Sequence, residues 1–265
     1  ISDAGAQAIG RLTADIGQLC GAIYGPGGTS IAGYMIAPLL TGYYGYGSAI
    51  AFQTRGGISA GDFMSAVIPN LDAKLPVALG LGDSQGYGHA VVGDGYGYSD
   101  GTLYYHFNMG WDGNSNAWYA PPDIEDYEFI DGIVCNIDPQ GSSGKTLVSG
   151  RVLNAATGVP VAGAKVSAGG VMSVTDAKGI YALALPPGSQ LIVAEASGSS
   201  ASVNVNVMAN VGVQVNFSNG TYYLSPTHVA NMYGVDLALD AEKGEPPSPE
   251  PVPVVVKVCV SPTGS

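Results

Sequence analysis

This chain of 265 residues is poor in charged side chains, and poorest in basic ones. Charged residues make up 11% of it, its formal net charge is −12, and no lysine or arginine occurs between Lys74 and Lys145. Such a surface repels phosphate backbones and anionic lipids, which argues against binding to nucleic acid or to membrane surfaces. No apolar run approaches the roughly 20 residues that a membrane-spanning helix needs.

Cysteine is scarce as well. Cys20, Cys135 and Cys259 are an odd number at wide spacing, which fits neither a zinc site nor a disulfide framework. The ten acidic residues from Asp83 to Asp138 lack the close alternation of a calcium loop and indicate a solvated acidic face. We therefore expect no metal and no cofactor.

Glycine and tyrosine are abundant instead, with 40 and 16 residues. This composition favours strands and tight loops over helical bundles. Together with the acidity, it is typical of a secreted or cell-surface bacterial protein. The first residue is Ile1 rather than Met, so we expect a processed product or a piece of a longer protein.

The hydrophobic pattern changes from helical to strand spacing within the first half of the chain. Three helices are predicted first, with Asp3, Ser30 and Ser59 as their N-caps and a distortion at Pro69 in the third. The predicted strands that follow are 77–81, 89–94, 103–107, 118–119 and 130–137. Helices followed by antiparallel strands predict an α+β unit.

A region of different character follows a short polar segment. Strands of alternating pattern and turn residues recur there at close intervals, which is typical of a small β-sandwich. After it come a Pro-rich spacer, 244–253, and a segment of strand character, 252–260. The predicted parts are the α+β unit at 1–139, a linker at 140–145, the sandwich at 146–220 and a C-terminal extension at 221–265.

Three residues of the segment 88–119 carry possible chemistry. His89 opens an apolar strand, and Asn108 and Trp111 lie about twenty residues later in a Gly-rich turn. A thiol protease needs an imidazole that deprotonates the thiol and a side chain that holds this imidazole in one tautomer. His89 would be the base, Asn108 would accept its other ring N–H, and Trp111 would shield that bond from water. For His89 alone, a buried structural histidine is the alternative, and with His106 it lacks the third ligand of a metal site.

Residues 8–139 resemble the streptopain family of papain-fold cysteine proteases. Four motifs carry the resemblance in the family's order: AIGRLTADIGQLCGAIYGPGGTS, SAGDFMSAVIPNLDAKLPVAL, GHAVVGDGY and YHFNMGWDGNSNAWY. The resemblance implies a partial papain-like domain in which His89 is the general base and Asn108 and Trp111 support it. It also implies that Gly88 and Ser30 line the substrate cleft.

The resemblance includes two departures and one gap. Met109 replaces a tryptophan of the family and removes an aromatic wall, and Asp112 replaces a glycine. The family's nucleophilic cysteine lies before the segment that matches here, so we expect it to be missing from this chain. Cys20 falls near the C-terminal end of its predicted helix, where the helix dipole disfavours a thiolate. We expect Cys20 and Cys135 to be core residues.

The second region resembles the carboxypeptidase regulatory-like module, a prealbumin-like β-sandwich, over about 146–217. The match rests on turn glycines and prolines and on Tyr181 as a core aromatic. Such modules are spacers, stabilisers or adhesive units, and the resemblance implies no catalysis. The pair Asn219-Gly220 predicts a hairpin.

Two functions of different classes follow. The first is part of a secreted streptopain-like cysteine endopeptidase that acts on a peptide or protein and takes its thiol from a separate segment or chain. The second is an inactive extracellular subunit of a surface or filament, built from a protease-derived fold and a sandwich. In that case segment 252–260 could add a strand to the sheet of an identical subunit.

Overall fold

The structure, a computed structural model, describes residues 2–26, 28–53, 58–141, 144–218, 221–224 and 227–240. Two units follow each other along the chain, and each has a buried core of its own. The helices of the first unit are α1 (Asp3–Leu19), α2 (Ile36–Gly42) and α3 (Ala60–Asp72). Its strands are β1 (Ile23–Gly25), β2 (Gly28–Ser30), β3 (Ser48–Gln53), β4 (Val77–Gly82), β5 (Gly88–Ser99), β6 (Thr102–Asn108), β7 (Ala117–Tyr119) and β8 (Phe129–Asp138).

Helix α1 is capped one residue earlier than predicted. Asp3 is its first helical residue, and the N-cap is Ser2, whose Oγ accepts a hydrogen bond from the Gly5 N–H at 3.2 Å. At the other end Gly21 has a φ of 64°, which favours glycine, and the following N–H of Ala22 donates to the Gly17 carbonyl. The helix therefore ends where the sequence predicts.

The prediction that Ser30 caps the second helix is wrong. Ser30 ends β2 and pairs with Ile23 in a two-stranded antiparallel hairpin, and α2 begins only at Ile36, after a 3₁₀ turn at Gly33–Met35. Gly28 has a φ of 146°, which favours glycine. The Gly-rich segment thus reverses the chain as a hairpin before a helix can start.

A six-stranded antiparallel sheet in the order β3-β8-β4-β5-β6-β7 forms the body of the first unit. All five predicted strands are present in it, whereas β3 was not predicted. The β3 segment SAIAFQ is short and lies after a Gly/Tyr-rich turn. Its pairing with β8, which sets Ala51 opposite Val134, makes it a strand.

Helix α3 covers one face of this sheet. Ser59 caps the helix as predicted, because its Oγ accepts the Asp62 N–H at 3.1 Å, and Pro69 lies inside the helix without ending it. Phe63 of α3 and Leu79 of β4 belong to the same buried cluster, 4% and 1% exposed. This core supports the strands that carry the candidate site.

The second unit is a β-sandwich. Its described strands are β9 (Thr146–Asn154), β10 (Lys165–Ala168), β11 (Val171–Val174), β12 (Ile180–Leu185), β13 (Gly188–Ala196), β14 (Ser199–Val207), β15 (Val215–Ser218), β16 (Thr221–Leu224) and β17 (Leu237–Leu239). One sheet has the order β11-β10-β13-β14 and the other β12-β9-β17, while β15 pairs with β16. Tyr181, Leu185 and Ile192 lie in the core of the sandwich. The predicted fold class, an α+β unit followed by a β-sandwich, is confirmed.

The sandwich continues past residue 220. Strand β17 pairs in parallel with β9, with Leu237 opposite Val152, so part of the predicted C-terminal extension completes the second unit. The predicted linker 140–145 lies between the end of β8 and the start of β9. The predicted strand segment 252–260 lies outside the described residues.

Buried asparagines join the two units. Asn70 of α3 accepts the Asn136 N–H at 2.7 Å, and Asn136 Oδ1 accepts from Asn231 Nδ2 at 2.8 Å. Asn231 Oδ1 in turn accepts the backbone N–H of Leu147 on β9 at 3.1 Å. Because buried amides are costly when unpaired, this network ties the end of the first sheet to the sandwich.

Candidate active site

His89 lies on β5, on the face of the sheet that packs against α3. Side chains alternate along a strand, so His89 shares a face with Val91, which is 3% exposed in the core. Val92 lies on the outer face and is 42% exposed. The imidazole is half-buried near the beginning of the strand.

The contacts of the imidazole determine its tautomer. Nε2 lies 2.7 Å from the backbone carbonyl oxygen of Met109. A carbonyl can only accept, so Nε2 carries the proton and donates it. None of the described residues forms a hydrogen bond with Nδ1, which is left with its lone pair as a proton acceptor. In the neutral ring, Nδ1 is therefore the nitrogen that is able to accept a proton.

Two aromatic rings stack on the imidazole of His89. Trp111 stacks on His89 with 4.5 Å between ring centroids and 28° between planes. Tyr127 stacks at 5.9 Å and 15°. These contacts restrict rotation of the ring and cover part of it from water. Trp111 thus touches the imidazole itself, and its role as a support of the base stays a prediction.

Asn108 does not accept a hydrogen bond from His89, contrary to the geometry that the sequence predicted. In the β5–β6 register Asn108 stands opposite Val92, so its side chain lies on the outer face, away from His89. Its Oδ1 accepts the Gly110 N–H at 2.9 Å. The acceptor for the ring N–H is a main-chain carbonyl instead.

The two predicted cleft residues lie in different places. Gly88 is the exposed first residue of β5, next to His89, and pairs with Gly82. Ser30 is exposed on the β1–β2 hairpin. Among the described residues, no hydrogen bond or ring contact joins Ser30 to His89. Substrate binding by either residue stays a prediction.

The two departures from the family pattern, Met109 and Asp112, differ in their relation to His89. The Met109 side chain is fully buried in the core and forms no wall of the site. The residue contributes its main-chain carbonyl, which contacts His89. Asp112 takes a φ of 54° in the turn, and in the part of the chain that the structure describes it forms no ion pair with His89. Its charge is therefore not a direct partner of the imidazole.

Sequence reasoning missed three contributors. They are the Met109 carbonyl, the stacked ring of Tyr127, and Asn116, whose Oδ1 accepts the Met109 N–H at 2.8 Å. A main-chain carbonyl has no side-chain signature, and Tyr127 follows a segment without periodicity. Asn116 had a visible signal, because an asparagine within a Gly-rich turn is a frequent main-chain partner.

Neither described cysteine is suited to be the nucleophile. Cys20 closes α1 and is 7% exposed, and burial raises the pKa of its thiol. Cys135 on β8 is fully buried, and burial raises its pKa to about 12. Since the thiolate is the reactive form, both are core residues as predicted. Cys259 lies outside the described residues.

A second histidine of the same sheet, His106, is held through Nδ1, whereas His89 is held through Nε2. His106 Nδ1 lies 2.5 Å from Asp94 Oδ1, and its ring is tilted against Trp118 at 5.3 Å. The pair lies on the outer face, where a register shift around Asp94 brings the carboxylate to His106. Nowhere in the described ranges do three or more His, Cys, Asp or Glu side chains come together to hold a metal.

The described helices give no membrane span. None of them is long and apolar enough to cross a bilayer.

Comparisons with known proteins give a match for each of the two units. Residues 1–119 match the Peptidase C10 family, and residues 147–219 match the carboxypeptidase regulatory-like domain. Streptopain of Streptococcus pyogenes serotype M1 is 32% identical over 113 residues, which are 43% of this chain and 27% of that protein. Streptopain of serotype M28 (strain MGAS6180) gives the same identity and coverage. The chain thus spans about a quarter of the length of the curated relatives it matches.

A solved structure is similar as well. The active wild-type interpain A cysteine protease of Prevotella intermedia is 23% identical, with a TM-score of 0.43, over 51% of this chain and 58% of that one. From the two family matches and the streptopain relatives, the resemblance of the first unit to the streptopain family and of the second to the carboxypeptidase regulatory-like module is confirmed.

Proposed function

We propose that this chain carries the histidine half of the active site of a secreted streptopain-like cysteine endopeptidase. The thiol nucleophile would come from a segment outside these 265 residues. The observation that carries the proposal is the tautomer of His89, whose Nε2–H is held by the Met109 carbonyl while Nδ1 has no described partner. The family resemblance supplies the reaction class.

In this reaction Nδ1 of His89 takes the proton of the thiol and leaves a thiolate beside an imidazolium. The sulfur bonds to the carbonyl carbon of the peptide, and the C–N bond breaks as Nδ1–H protonates the leaving amine. A water molecule, deprotonated by Nδ1, then cleaves the thioester and restores the thiol. The stacked Trp111 and Tyr127 keep the ring in place through both transfers.

Secretion belongs to the same proposal. The acidic composition, rich in glycine and small polar residues, and the sandwich module support it. A charge of −12 keeps such a protein soluble outside the cell and away from anionic surfaces.

The test uses the native protein together with every chain that co-purifies with it. A thiol-directed irreversible inhibitor should label one cysteine, and intact mass spectrometry of each chain would locate it. In a recombinant form that contains this cysteine, His89→Ala should slow cleavage by about 10²–10⁴-fold, the usual contribution of a general base. The matched control is His106→Ala, which removes an imidazole of the same sheet that is paired with Asp94.

Two results would contradict this function. One is an absence of labelling on every chain of the native material. The other is an equal loss of activity in the His89 and His106 variants, since the proposal gives the proton transfers to His89 alone.

A second candidate function is an inactive extracellular subunit that assembles by strand addition, and one feature favours it. Among the described strands β14 ends its sheet, and its nine residues contain no charge and no proline. An edge of this kind is open to pairing with another chain. Ser199, the first residue of β14, donates a hydrogen bond from Oγ to the carbonyl of Asp240, so the described chain ends beside this edge.

Segment 252–260 of a neighbouring copy is the proposed donor strand. Every second residue from Val252 to Val260 is a valine, and a Pro-rich spacer separates the segment from Asp240. Removal of residues 246–265 should convert assemblies to monomers in sedimentation velocity, while removal of 261–265 should leave them intact. Unchanged assembly after the longer deletion would rule out this exchange.

A further inference from the structure

We infer that a single peptide unit orients His89, and that one asparagine fixes this unit while a second fixes the peptide before it. The unit is the Met109–Gly110 peptide. Its carbonyl accepts the His89 Nε2–H at 2.7 Å, and its N–H donates to Asn108 Oδ1 at 2.9 Å. Asn108 is therefore a positioning residue that acts through this peptide and not by direct contact with the ring.

The planarity of the peptide explains how Asn108 can orient His89 without touching it. In a trans peptide the C=O and N–H point in opposite directions within one rigid plane, so an acceptor that fixes the N–H also fixes the direction of the C=O. The two hydrogen bonds also polarise each other, since they share the same amide. An acceptor on the outer face of the sheet thus controls an imidazole on the buried face.

Asn116 is the second positioning residue. Its Oδ1 accepts the N–H of Met109 at 2.8 Å, which fixes the preceding peptide. Both peptides that flank the Met109 Cα are then held, and the Met109 side chain is anchored in the core with no exposed surface. Without Asn116 the Met109 backbone would keep one anchor fewer, and the carbonyl could turn away from the imidazole.

The sequence predicts a direct contact between Asn108 and His89, whereas in the structure a peptide unit lies between them. The orientation of His89 by this peptide does not depend on the activity of the chain, but its effect on catalysis rests on the proposed function. If His89 is the base of an assembled peptidase, loss of Asn116 should lower kcat and leave KM unchanged, because Asn116 positions the base and is not placed against substrate.

The test is NMR spectroscopy of the chain itself, which requires neither a thiol nor activity. In Asn116→Ala the Nε2 proton of His89 should exchange with water about tenfold faster than in the wild type, as expected for a weakened hydrogen bond. Asn116→Asp keeps an acceptor oxygen of the same reach and should restore slow exchange. Asn114→Ala is the matched control, because Asn114 lies in the same turn and its Nδ2 donates to the Trp111 carbonyl instead.

Equal exchange in the wild type and in Asn116→Ala would overturn the role of Asn116, and so would fast exchange in Asn116→Asp. A measurement on the wild type covers the case in which a variant does not fold. The scalar coupling across the hydrogen bond should connect His89 Nε2 with the carbonyl carbon of Met109. A coupling to the side-chain amide carbon of Asn108 would show direct contact and refute the inference. None of these outcomes depends on peptidase activity, so the proposed function fails or stands separately.

Discussion

The sheet that carries His89 and the N-terminal part that carries Ser30 match one family, yet they are held in different ways. In the sheet, Leu79 and Phe107 are 1% and 0% exposed in a core shared with α3. In α1, Ile9 and Leu12 point along an apolar stripe but are 52% and 48% exposed. The match to the Peptidase C10 family, at residues 1–119, covers α1 and every strand of the sheet except β8.

The family match therefore extends over residues that are not packed into the buried core. The surroundings of His89 are built by a sheet that is stabilised by its own packing. Among the described residues no hydrogen bond or ring contact fixes Ser30 relative to His89. His89 thus has the better-defined surroundings of the two residues, and the difference in packing between the sheet and α1 is open to experiment.

The largest expected effect is in the sheet. Leu79→Ala removes a buried side chain and leaves a cavity, so the free energy of unfolding should fall by about 2–5 kcal/mol. Leu12→Ala makes the same chemical change on α1, where the side chain is half exposed, and should change it by no more than about 0.5 kcal/mol. Urea denaturation followed by tryptophan fluorescence measures both. Equal losses in the two variants would show that α1 is packed as tightly as the sheet.

The next effect concerns the border between the sheet and the sandwich. Asn231 is 3% exposed and bonded to Asn136 and to the Leu147 N–H. Asn231→Ala leaves these buried groups without partners, which should cost about 1–3 kcal/mol. Asn206→Ala, on the exposed face of β14, is the control and should be nearly neutral. Identical stability of the two variants would mean that the asparagine network does not hold the units together.

A pH-dependent effect is expected at the end of α3. Burial raises the pKa of Asp72 above its ordinary 3.8, although the Tyr96 hydroxyl donates to its Oδ1 at 2.7 Å and opposes the shift. The unfolded chain thus loses this proton at lower pH than the folded chain. The contribution of protonated Asp72 to the free energy of unfolding is therefore fully present below the ordinary pKa of 3.8, and it is lost as the pH rises through the raised pKa of the folded state.

Asp72→Asn keeps an acceptor for Tyr96 and removes the ionisation. Its free energy of unfolding should not decline in that pH window, so its advantage over the wild type should grow from about pH 3 towards pH 7. Tyr96→Phe removes the opposing hydrogen bond and should steepen the decline. Denaturation curves across this range measure both variants, and parallel curves for the wild type and Asp72→Asn would contradict the raised pKa.

Periodicity and turn chemistry predicted most of the fold. Ser59 was recognisable as a cap, and the strands on either side of the Asn219-Gly220 signal pair as β15 and β16. The failures are Ser30, assigned to a helix cap but found in a hairpin, and β3, which was not predicted. In both cases pairing with a distant or neighbouring strand overrides a local preference, and a propensity rule does not contain this information.

Of the contacts predicted for the candidate site, the structure contains that between His89 and Trp111 and lacks that between His89 and Asn108. The motif identified His89, Asn108 and Trp111, yet the register that sets Asn108 opposite Val92 places its side chain on the wrong face for direct contact. Register depends on where the turn and a bulge fall, and a one-residue slip exchanges the faces. Spacing along the chain does not reveal that slip.

The smallest effect tests the comparison most directly, because it concerns α1 alone. Gly10 lies in the interior of α1, and an added Cβ would meet nothing within 4 Å. Gly10→Ala should favour the helix by about 0.5–1 kcal/mol and make the ellipticity at 222 nm more negative. If α1 folds independently of the sheet, the midpoint of cooperative unfolding should stay where it is. Gly21→Ala is the control of opposite sign, since it strains the residue with φ of 64° that ends α1. A shift of the midpoint with Gly10→Ala would mean that α1 and the sheet that carries His89 unfold as one cooperative unit.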